Sequence, residues 1–563
     1  MNNNLPRIAY FCMEYGLDNN LPIYSGGLGI LAGDYLKAAK DLNLPVTGVG
    51  ILWRQDYTTQ LIGEDGYPYD VYPNHQFEDL KDTGITVNCR VRGTGVTCKV
   101  WKVDQYENVD LYLLDTNFPG SYNGWMTEKL YGGVDQDRVA QEIILGIGGI
   151  RALRALGVDI DIYHFNEGHA VFAGLELIRE KMSTGLSFEE AWENTKKEVV
   201  FTTHTPVEAG NEVHDLGLLM YMEANNGFSH EQLEALGGNP FNMTVAALRL
   251  SYKANAVSQL HGETARKMWE HVEGTIPITA ITNGVHVRTW QNPKIKNVSK
   301  KTQDLWTIHM DAKNKLLTYI KEHNKVSLNP DVLTIGFARR AAAYKRGGLI
   351  FRKMDILGPL LEKGKIQLVY SGKAHPNDHH GKSIIQEIVQ ISRQYPGKIV
   401  FLENYDMNIA RLMVQGCDAW LNNPLRPMEA SGTSGMKAAL NGVLNISVLD
   451  GWVGEAITHQ ESGWLLDNVL NKKVHETNQD EYDLEAFYEV LLSEVIPIYY
   501  EDRSRWIKMM MASIKMAEEK LTSQRMVKEY FNLLYNKAYL AKNNFTYLNE
   551  TKPVHDYTYT NPT

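Results

Sequence analysis

Short runs of consecutive apolar residues alternate along this chain with longer stretches in which apolar residues recur every three or four positions. Ile8 to Phe11 reads as a buried strand, and YSGGLG (Tyr24 to Gly29) opens an amphipathic helix that runs to Leu42, before a second strand, VTGVGILW. That order is a βαβ unit with a glycine-rich first loop. Asp135 to Leu156 carries a long helical pattern, followed by a strand, Ile160 to Phe165, then NEGHA, a further helix, and the strand VVFTTHTP from Val199 to Pro206. Strands alternating with helices predict a parallel sheet.

Between Tyr57 and about Leu114 the period changes to two. Val87, Cys89 and Val91 alternate with polar residues, as do Val96, Cys98 and Val100, around Gly93-Thr94-Gly95, which predicts a hairpin insertion. LRLSYKANAVSQLHGETARKMW (Leu248 to Trp269) reads as helix, and ITNGVHVRTW follows. HNKVSLNPD reads as a crossover into a second alternating unit, whose strands are VLTIGF (Val332 to Phe337), IQLVYSG, KIVFLE, CDAWLN and NISVL. Glu485 to Ala541 is helical and rich in Met and Tyr, a stripe that fits packing in a core. The expected fold class is α/β, with two Rossmann-like domains. Residues 1–325 form the first, with its β-rich insertion, and residues 326–500 the second. Residues 501–542 supply helices that cross back, and 543–563 form a polar tail.

Composition narrows the picture. A chain of 563 residues, 44% of them apolar, can build two large cores. A net charge of -10 speaks against a general nucleic-acid binder but leaves room for local basic pockets. Cys12, Cys89, Cys98 and Cys417 are scattered without metal-type spacing. The start at Met1 carries no charged lead and apolar core of a signal peptide, and no apolar run reaches membrane-spanning length. The expected location is the cytoplasm, with no membrane or nucleic-acid partner.

The candidate chemistry centres on Pro424 to Trp452. Gly432, Thr433, Ser434 and Gly435 can turn tightly with bare backbone, and Met436 to Leu440 reads as a short helix stopped by Asn441-Gly442. A helix N-terminus of this kind stabilises an anion, most often a phosphate. Lys437 lies one turn inside. From spacing alone it could be a surface residue, a point-charge phosphate ligand, or an amine that forms a Schiff base with a cofactor aldehyde. A second cluster, Arg339, Arg340, Lys345 and Arg346, follows the first strand of the second unit, where an anion pocket is the sharper reading than a solvated helix face. Asn166, Glu167, His169, His204 and Glu208 follow strand ends, where open α/β sheets place ligands. No pair has the close spacing of a zinc site, so no metal is expected.

EASGTSGMKAALNG followed by LDG resembles the pyridoxal-phosphate segment of the alpha-glucan (glycogen, starch, maltodextrin) phosphorylases, usually EASGTGNMKFMLNG, with Ser434 and Gly435 standing where that family has Gly and Asn. GGLGILAGDYL, NEGHA, THTPVEAG, ITNGVHVRTW, ARRAAAYKRGG and FLENYD are similar to further motifs of that family, in the same order. The resemblance implies a GT-B type glycosyltransferase fold and the short prokaryotic form. It makes Lys437 the lysine that carries pyridoxal 5'-phosphate, with Thr433, Ser434, Gly435, Arg339 and Tyr405 beside the cofactor. Arg340 and Lys345 are sent to the substrate phosphate. Gly26 and Gly27 would offer backbone N–H groups to phosphate, and Leu28 would line the sugar pocket. Tyr344 and Asn283 would contact sugar hydroxyls, Glu429, Ser431 and Gly432 would bind substrate, and His169 and His204 would contact sugar or acceptor. Glu14 matches an acidic position of the family, and His261 a position where a structural role is expected. Tyr252 departs from the family, standing where the long forms have a histidine expected to face the sugar.

The implied reaction is reversible phosphorolysis of an α-1,4-glucan or maltodextrin by inorganic phosphate, releasing α-D-glucose 1-phosphate with retention; a homodimer is a family expectation. Two rivals are a nucleotide-sugar-dependent glucan synthase on the same fold and a non-catalytic glucan-binding protein. Retaining synthases typically carry two glutamates separated by seven residues, and counting from Glu429 the second position is Lys437. A non-catalytic protein would be expected to lose the cations, and Arg340, Lys345 and Lys437 are all present.

Overall fold

The computed structural model describes residues 5–297, 302–466 and 478–535. The polar tail expected at 543–563, and the last residues expected to cross back, 536–542, lie outside the described residues.

Two sheets organise the chain. The first contains β1 (Ile8–Phe11), β2 (Val46–Ile51), β3 (Lys81–Val91), β4 (Thr94–Val103), β5 (Leu111–Asp115), β6 (Ile162–Asn166), β7 (Val199–Thr202), β8 (Lys253–Ala256) and β9 (Ile278–Ala280). Their spatial order is β9-β8-β7-β6-β1-β2-β5-β4-β3. Ile8 lies opposite both Val46 and Ile162, and every pair from β9 to β5 is parallel, while β4 and β3 continue the edge antiparallel. The expected hairpin at Gly93 therefore forms, and extends the main sheet. Its alternation arises because Cys89, Val91, Val96, Cys98 and Val100 face the core while their neighbours face water.

The second sheet contains β10 (Leu333–Ala338), β11 (Ile366–Ser371), β12 (Ile399–Leu402), β13 (Ala419–Asn422), β14 (Leu444–Ser447) and β15 (Gly463–Leu465). Their order is β12-β11-β10-β13-β14-β15, all parallel. In both sheets the chain builds outward from the first strand on one side and then on the other. The crevices beside β1/β6 and β10/β13 are the switch points where open parallel sheets bind ligands.

One expectation is corrected here. Leu248 to Trp269 is not continuous helix: Met243–Leu250 is helical, β8 follows, and Gln259–Met268 is helical again. Ser251 Oγ donates back to the Ala247 carbonyl at 2.7 Å as the first helix ends, and Ser258 Oγ accepts from His261 N at 3.0 Å as the next begins. Between them Ala254, Asn255 and Ala256 are fully buried in a strand covered on both faces, so no period-two signal exists.

Helix α1 (Gly27–Asp41) joins β1 to β2 through a small hairpin, Tyr15–Asp18 against Leu21–Ile23. Helix α2 (Thr302–Asn324), expected at the end of the first unit, packs Leu316, Leu317 and Ile320 against Val369 and Val400 of the second sheet. The C-terminal helices pack in both cores. The short α3 (Ser434–Ala439) precedes α4 (Arg503–Lys520), in which Trp506 and Met510 pack in the second core, and Met516 and Ala517 pack with Val285 and Trp290. Beyond it Met526, Tyr530, Leu534 and Tyr535 enter the first core, where Tyr535 meets the Tyr35 hydroxyl at 2.6 Å. Among the described residues no helix is long and apolar enough to cross a membrane.

Candidate active site

The strand ends at both switch points carry candidate site residues. On the second sheet, β10 ends at Ala338 and delivers Arg339 and Arg340, while β13 ends at Asn422. The Arg339 guanidinium donates to the Asn422 side chain and lies 3.4 Å from Glu429 Oε2, which also accepts from the Lys345 ammonium. Burial pushes the Glu429 carboxyl up, but Lys345, Arg339 and Arg340 outweigh it and hold the group below its ordinary value. Arg340 is solvent-exposed, and Tyr344, Tyr57 and Glu14 are its electrostatic neighbours. Arg346, the fourth cation of the cluster, is buried. It donates to the Asn423 and Pro424 carbonyls at 2.8 and 2.9 Å and pairs with Asp480 and Asp483, so it pins the loop after β13.

That loop carries the glycine-rich turn. Asp450 accepts the Glu429 backbone N–H at 2.9 Å and the Gly451 N–H at 2.9 Å. Burial raises the Asp450 carboxyl to about 7 despite those two donors. Gly432 has φ +78, the left-handed region that glycine tolerates. Thr433 precedes α3, Ser434 Oγ accepts from the Trp420 indole at 3.2 Å, and a Cβ on Gly435 would stand 2.5 Å from Asn445 Oδ1.

Lys437 sits one turn into α3 and is 6% exposed. Its ammonium lies 3.8 Å from the centre of the Trp290 ring, and among the described residues no carboxylate comes within ion-pair distance of it. Burial lowers its pKa to about 8, partly offset by the Asp34 carboxylate. Ser431 Oγ, Arg339 Nε, Asn445 Oδ1 and Trp452 Nε1 are buried without a hydrogen-bond partner, Asn445 and Trp452 being packed against Gly435. Buried polar atoms are ordinarily satisfied, so these orphans in and behind the turn that carries Lys437 fit a site that takes a polar group. An aldehyde for the amine and an anion for the turn and Arg339 fit this donor set. Tyr405 lies near Arg339, and burial raises its phenol.

On the first sheet the structure corrects one expectation. The Gly26 N–H is not free: it donates to Glu14 Oε2 at 3.1 Å, and the same carboxylate accepts from Ser25 N at 2.6 Å and the Tyr131 hydroxyl at 2.8 Å. A buried carboxylate following β1 captures these donors before any phosphate can. Gly27 opens α1 and is exposed, and Leu28 packs on the first core.

His204 pairs its Nε2 with Asn166 Oδ1 at 2.7 Å and donates its backbone N–H to Glu167 Oε2 at 2.7 Å. His169 Nδ1 is buried without a partner, and its ring lies 5.8 Å from that of Tyr131. Burial lowers both imidazoles to about 3, so they are neutral near pH 7. Glu208 is exposed. His261 has a structural role, accepting from Val257 N at 3.3 Å with its other nitrogen 3.3 Å from the Thr205 carbonyl. Asn283 is held by its backbone to Val257, with Oδ1 buried and unpartnered. Tyr252, which stands where the long forms have a histidine, donates to the Leu534 and Tyr535 carbonyls at 2.7 and 3.0 Å and anchors the C-terminal segment.

The two sides meet. Ser258 Oγ donates to the Ala430 carbonyl at 2.6 Å, next to Glu429, and the Tyr57 ring stands 6.2 Å from Tyr131 and 6.0 Å from His375 of the second unit. Asp34, Tyr57, Tyr131, Trp290 and Asp450 are site residues not singled out from sequence. Trp290 ends the motif ITNGVHVRTW and Asp450 is the middle residue of LDG, but Tyr57 and Tyr131 carry no local signal. Among the described residues one group has metal-ligand proximity, Glu142, Glu212 and His214. Arg138 Nε lies 2.7 Å from Glu212 and 3.5 Å from Glu142, so a cation already neutralises the group.

Residues 293–459 match the carbohydrate phosphorylase family. The chain is 38% identical to a maltodextrin phosphorylase of Thermococcus litoralis, covering 94% of this chain and 70% of that one. It is 36% identical to a glycogen phosphorylase of Mycobacterium tuberculosis, over 94% and 71%, and 35% identical to a glycogen phosphorylase of Aquifex aeolicus, over 94% and 86%.

Proposed function

The chain belongs to the carbohydrate phosphorylase family, and on that premise we propose that it catalyses reversible phosphorolysis of α-1,4-glucan, transferring a terminal glucosyl unit to inorganic phosphate as α-D-glucose 1-phosphate with retention. The observation that carries this reading is Lys437: a buried amine lying on the Trp290 ring behind a glycine turn, with no carboxylate at ion-pair distance among the described residues. A nucleotide-sugar synthase has no use for an unpaired buried lysine at that place.

We assign the architecture as two Rossmann-like domains of GT-B type, with α2 belonging to the second because its apolar face packs there. Lys437 holds pyridoxal 5'-phosphate through its amine, with Thr433, Ser434, Gly435, Arg339 and Tyr405 beside it. When bound, the cofactor would supply a phosphate group as proton donor and acceptor beside the substrate phosphate. Every other contribution comes from the chain. Two phosphates in contact repel by ~4 kcal/mol per pair of unit charges at an effective dielectric near 20, and Arg340 and Lys345 offset that repulsion for the substrate anion. Glu429, Ser431, Gly432 and Tyr344, all of the second unit, line the sugar side, with Asn283, Leu28 and Gly27 of the first, and His169 and His204 toward the acceptor. The two histidines, neutral near pH 7, add no charge to a site already crowded with cations. Contacts such as Ser258 to Ala430 bring the two sides together and exclude water, which favours phosphate over water as acceptor.

An absorbance spectrum of the purified protein after incubation with pyridoxal phosphate tests the reading, followed by borohydride reduction and peptide mapping. A Schiff-base band and a label on Lys437 are expected. A colourless, unlabelled protein would overturn the cofactor assignment and make transfer from a nucleotide sugar the reaction to assay.

A further inference from the structure

Helix α1 belongs to the first sheet and α3 to the second, yet one short segment, His286 to Asn292, is bonded to both. On the α1 side, Asp34 accepts the Trp290 indole N–H at 2.9 Å and the His286 backbone N–H at 3.0 Å. Lys37 Nζ donates to Thr289 Oγ1 at 3.2 Å, and Asp41 pairs with His286 at 2.9 Å and with Arg288. On the α3 side, the Asn292 N–H donates to Asn441 Oδ1 at 2.7 Å, and Asn441 Nδ2 returns a bond to the Trp290 carbonyl at 3.0 Å. Gln291 Nε2 reaches the Leu440 carbonyl at 2.9 Å. The Trp290 ring, so gripped, is the surface against which the Lys437 ammonium lies.

Asp34 is 1% exposed and Trp290 fully buried. A buried carboxylate is costly unless its lone pairs are used, and here they are spent on one indole and one backbone amide. Neither bond is needed to build α1, which has its own backbone ladder. The other charged groups on elements packed around α3 are engaged elsewhere: Arg411 on the Thr289 carbonyl, Glu518 on Gln291, Asp406 on Asn19, and Arg339 on Asn422 and Glu429.

We propose that Asp34 is a positioning residue for Lys437, acting across the domain junction: its bonds to the Trp290 indole and the His286 N–H fix the ring on which the amine lies. The inference rests on the cofactor reading above. Attachment requires the ammonium to lose a proton to solvent. The amine nitrogen then bonds to the aldehyde carbon, and the aldehyde oxygen leaves as water. The Asp34 charge holds the amine protonated to higher pH than burial alone would allow, while the fixed ring keeps it aimed.

The test is the pH dependence of Schiff-base formation with pyridoxal phosphate, read as absorbance on the cofactor-free full-length protein. In Asp34→Asn the midpoint should fall by roughly one pH unit, the effect of removing one nearby opposite charge; an unchanged midpoint would overturn the proposal. Wild-type protein that forms no band on Lys437 would instead overturn the underlying cofactor reading, so the two failures are distinguishable. Should Asp34→Asn not fold, Trp290→Phe keeps the carboxylate and removes the indole N–H. It should leave the midpoint in place while cofactor dissociation becomes several-fold faster, and unchanged dissociation would overturn the positioning role.

Discussion

The Lys345 ammonium and the Glu429 carboxylate form an ion pair almost sealed from solvent, with side chains 12% and 10% exposed. The carboxylate thus occupies the cationic pocket proposed for the substrate phosphate. Removing one member of a buried pair strands the other, at a cost of about 3 kcal/mol. Lys345→Ala should therefore lower the denaturation midpoint. It should also reduce kcat/KM for phosphate by about 100-fold or more, the scale for losing one preorganised charge donor. Denaturant titration and steady-state kinetics check both; wild-type phosphate kinetics in this variant would remove Lys345 from the site.

Lys437 bears on stability as well as chemistry. Its folded pKa of about 8 lies below the ordinary lysine value of 10.5, so the folded state disfavours the charged form. Stability from this group is present above pH 10.5 and is lost as pH falls through 8. Below that, the cofactor-free protein carries a penalty on the order of 3 kcal/mol. Lys437→Met should raise the melting temperature of the cofactor-free protein at pH 7, with the gain disappearing near pH 10.5. Thermal scans at the two pH values decide it.

Asp450 joins Glu429 to the turn through the bond to the Glu429 N–H at 2.9 Å. With its carboxyl raised to about 7, it is half protonated near neutral pH, and the protonated form gives up one acceptor site. Asp450→Asn mimics that form. Its activity at pH 8 should resemble that of the wild type at pH 6, and its acid limb should flatten. A pH-rate profile superimposable on the wild type would refute the link.

Gly451 has φ +58, and a Cβ there would stand 2.1 Å from the Ser431 carbonyl oxygen, a backbone atom that cannot swing aside. Gly451→Ala should cost more than the 1–3 kcal/mol of an ordinary overpacked site and abolish cofactor binding with it. Gly435→Ala meets a side-chain oxygen, Asn445 Oδ1 at 2.5 Å, which can partly yield, and should fall within that range. Chemical denaturation of the two variants ranks them.

Strands β1, β2, β6, β7 and β10 to β14 were legible in the amino-acid order because each is a local run of apolar residues bounded by polar or glycine-rich turns. The lysine behind its glycine turn and the cations after Ala338 were legible for the same reason: turn, helix start and charge lie within a dozen residues of each other. What local order could not carry was anything settled by a distant partner. β8 hid inside a helical pattern because its alanines are buried between β7 and β9, on which neither face leaves a periodic trace. Gly26 looked like a free amide donor until Glu14, twelve positions earlier, was brought against it by the hairpin after β1. Tyr252 had no role that its neighbours in sequence could assign, until the chain returned at Leu534 to accept its hydroxyl. Asp34 and Lys437 are 403 residues apart in the chain, and their relation exists only because Trp290 is bonded to one and packed on the other. Local periodicity records what a residue's neighbours in sequence demand; charge balance, desolvation and orientation at the site depend on which segments fold against each other, and those arise only with the assembled cores.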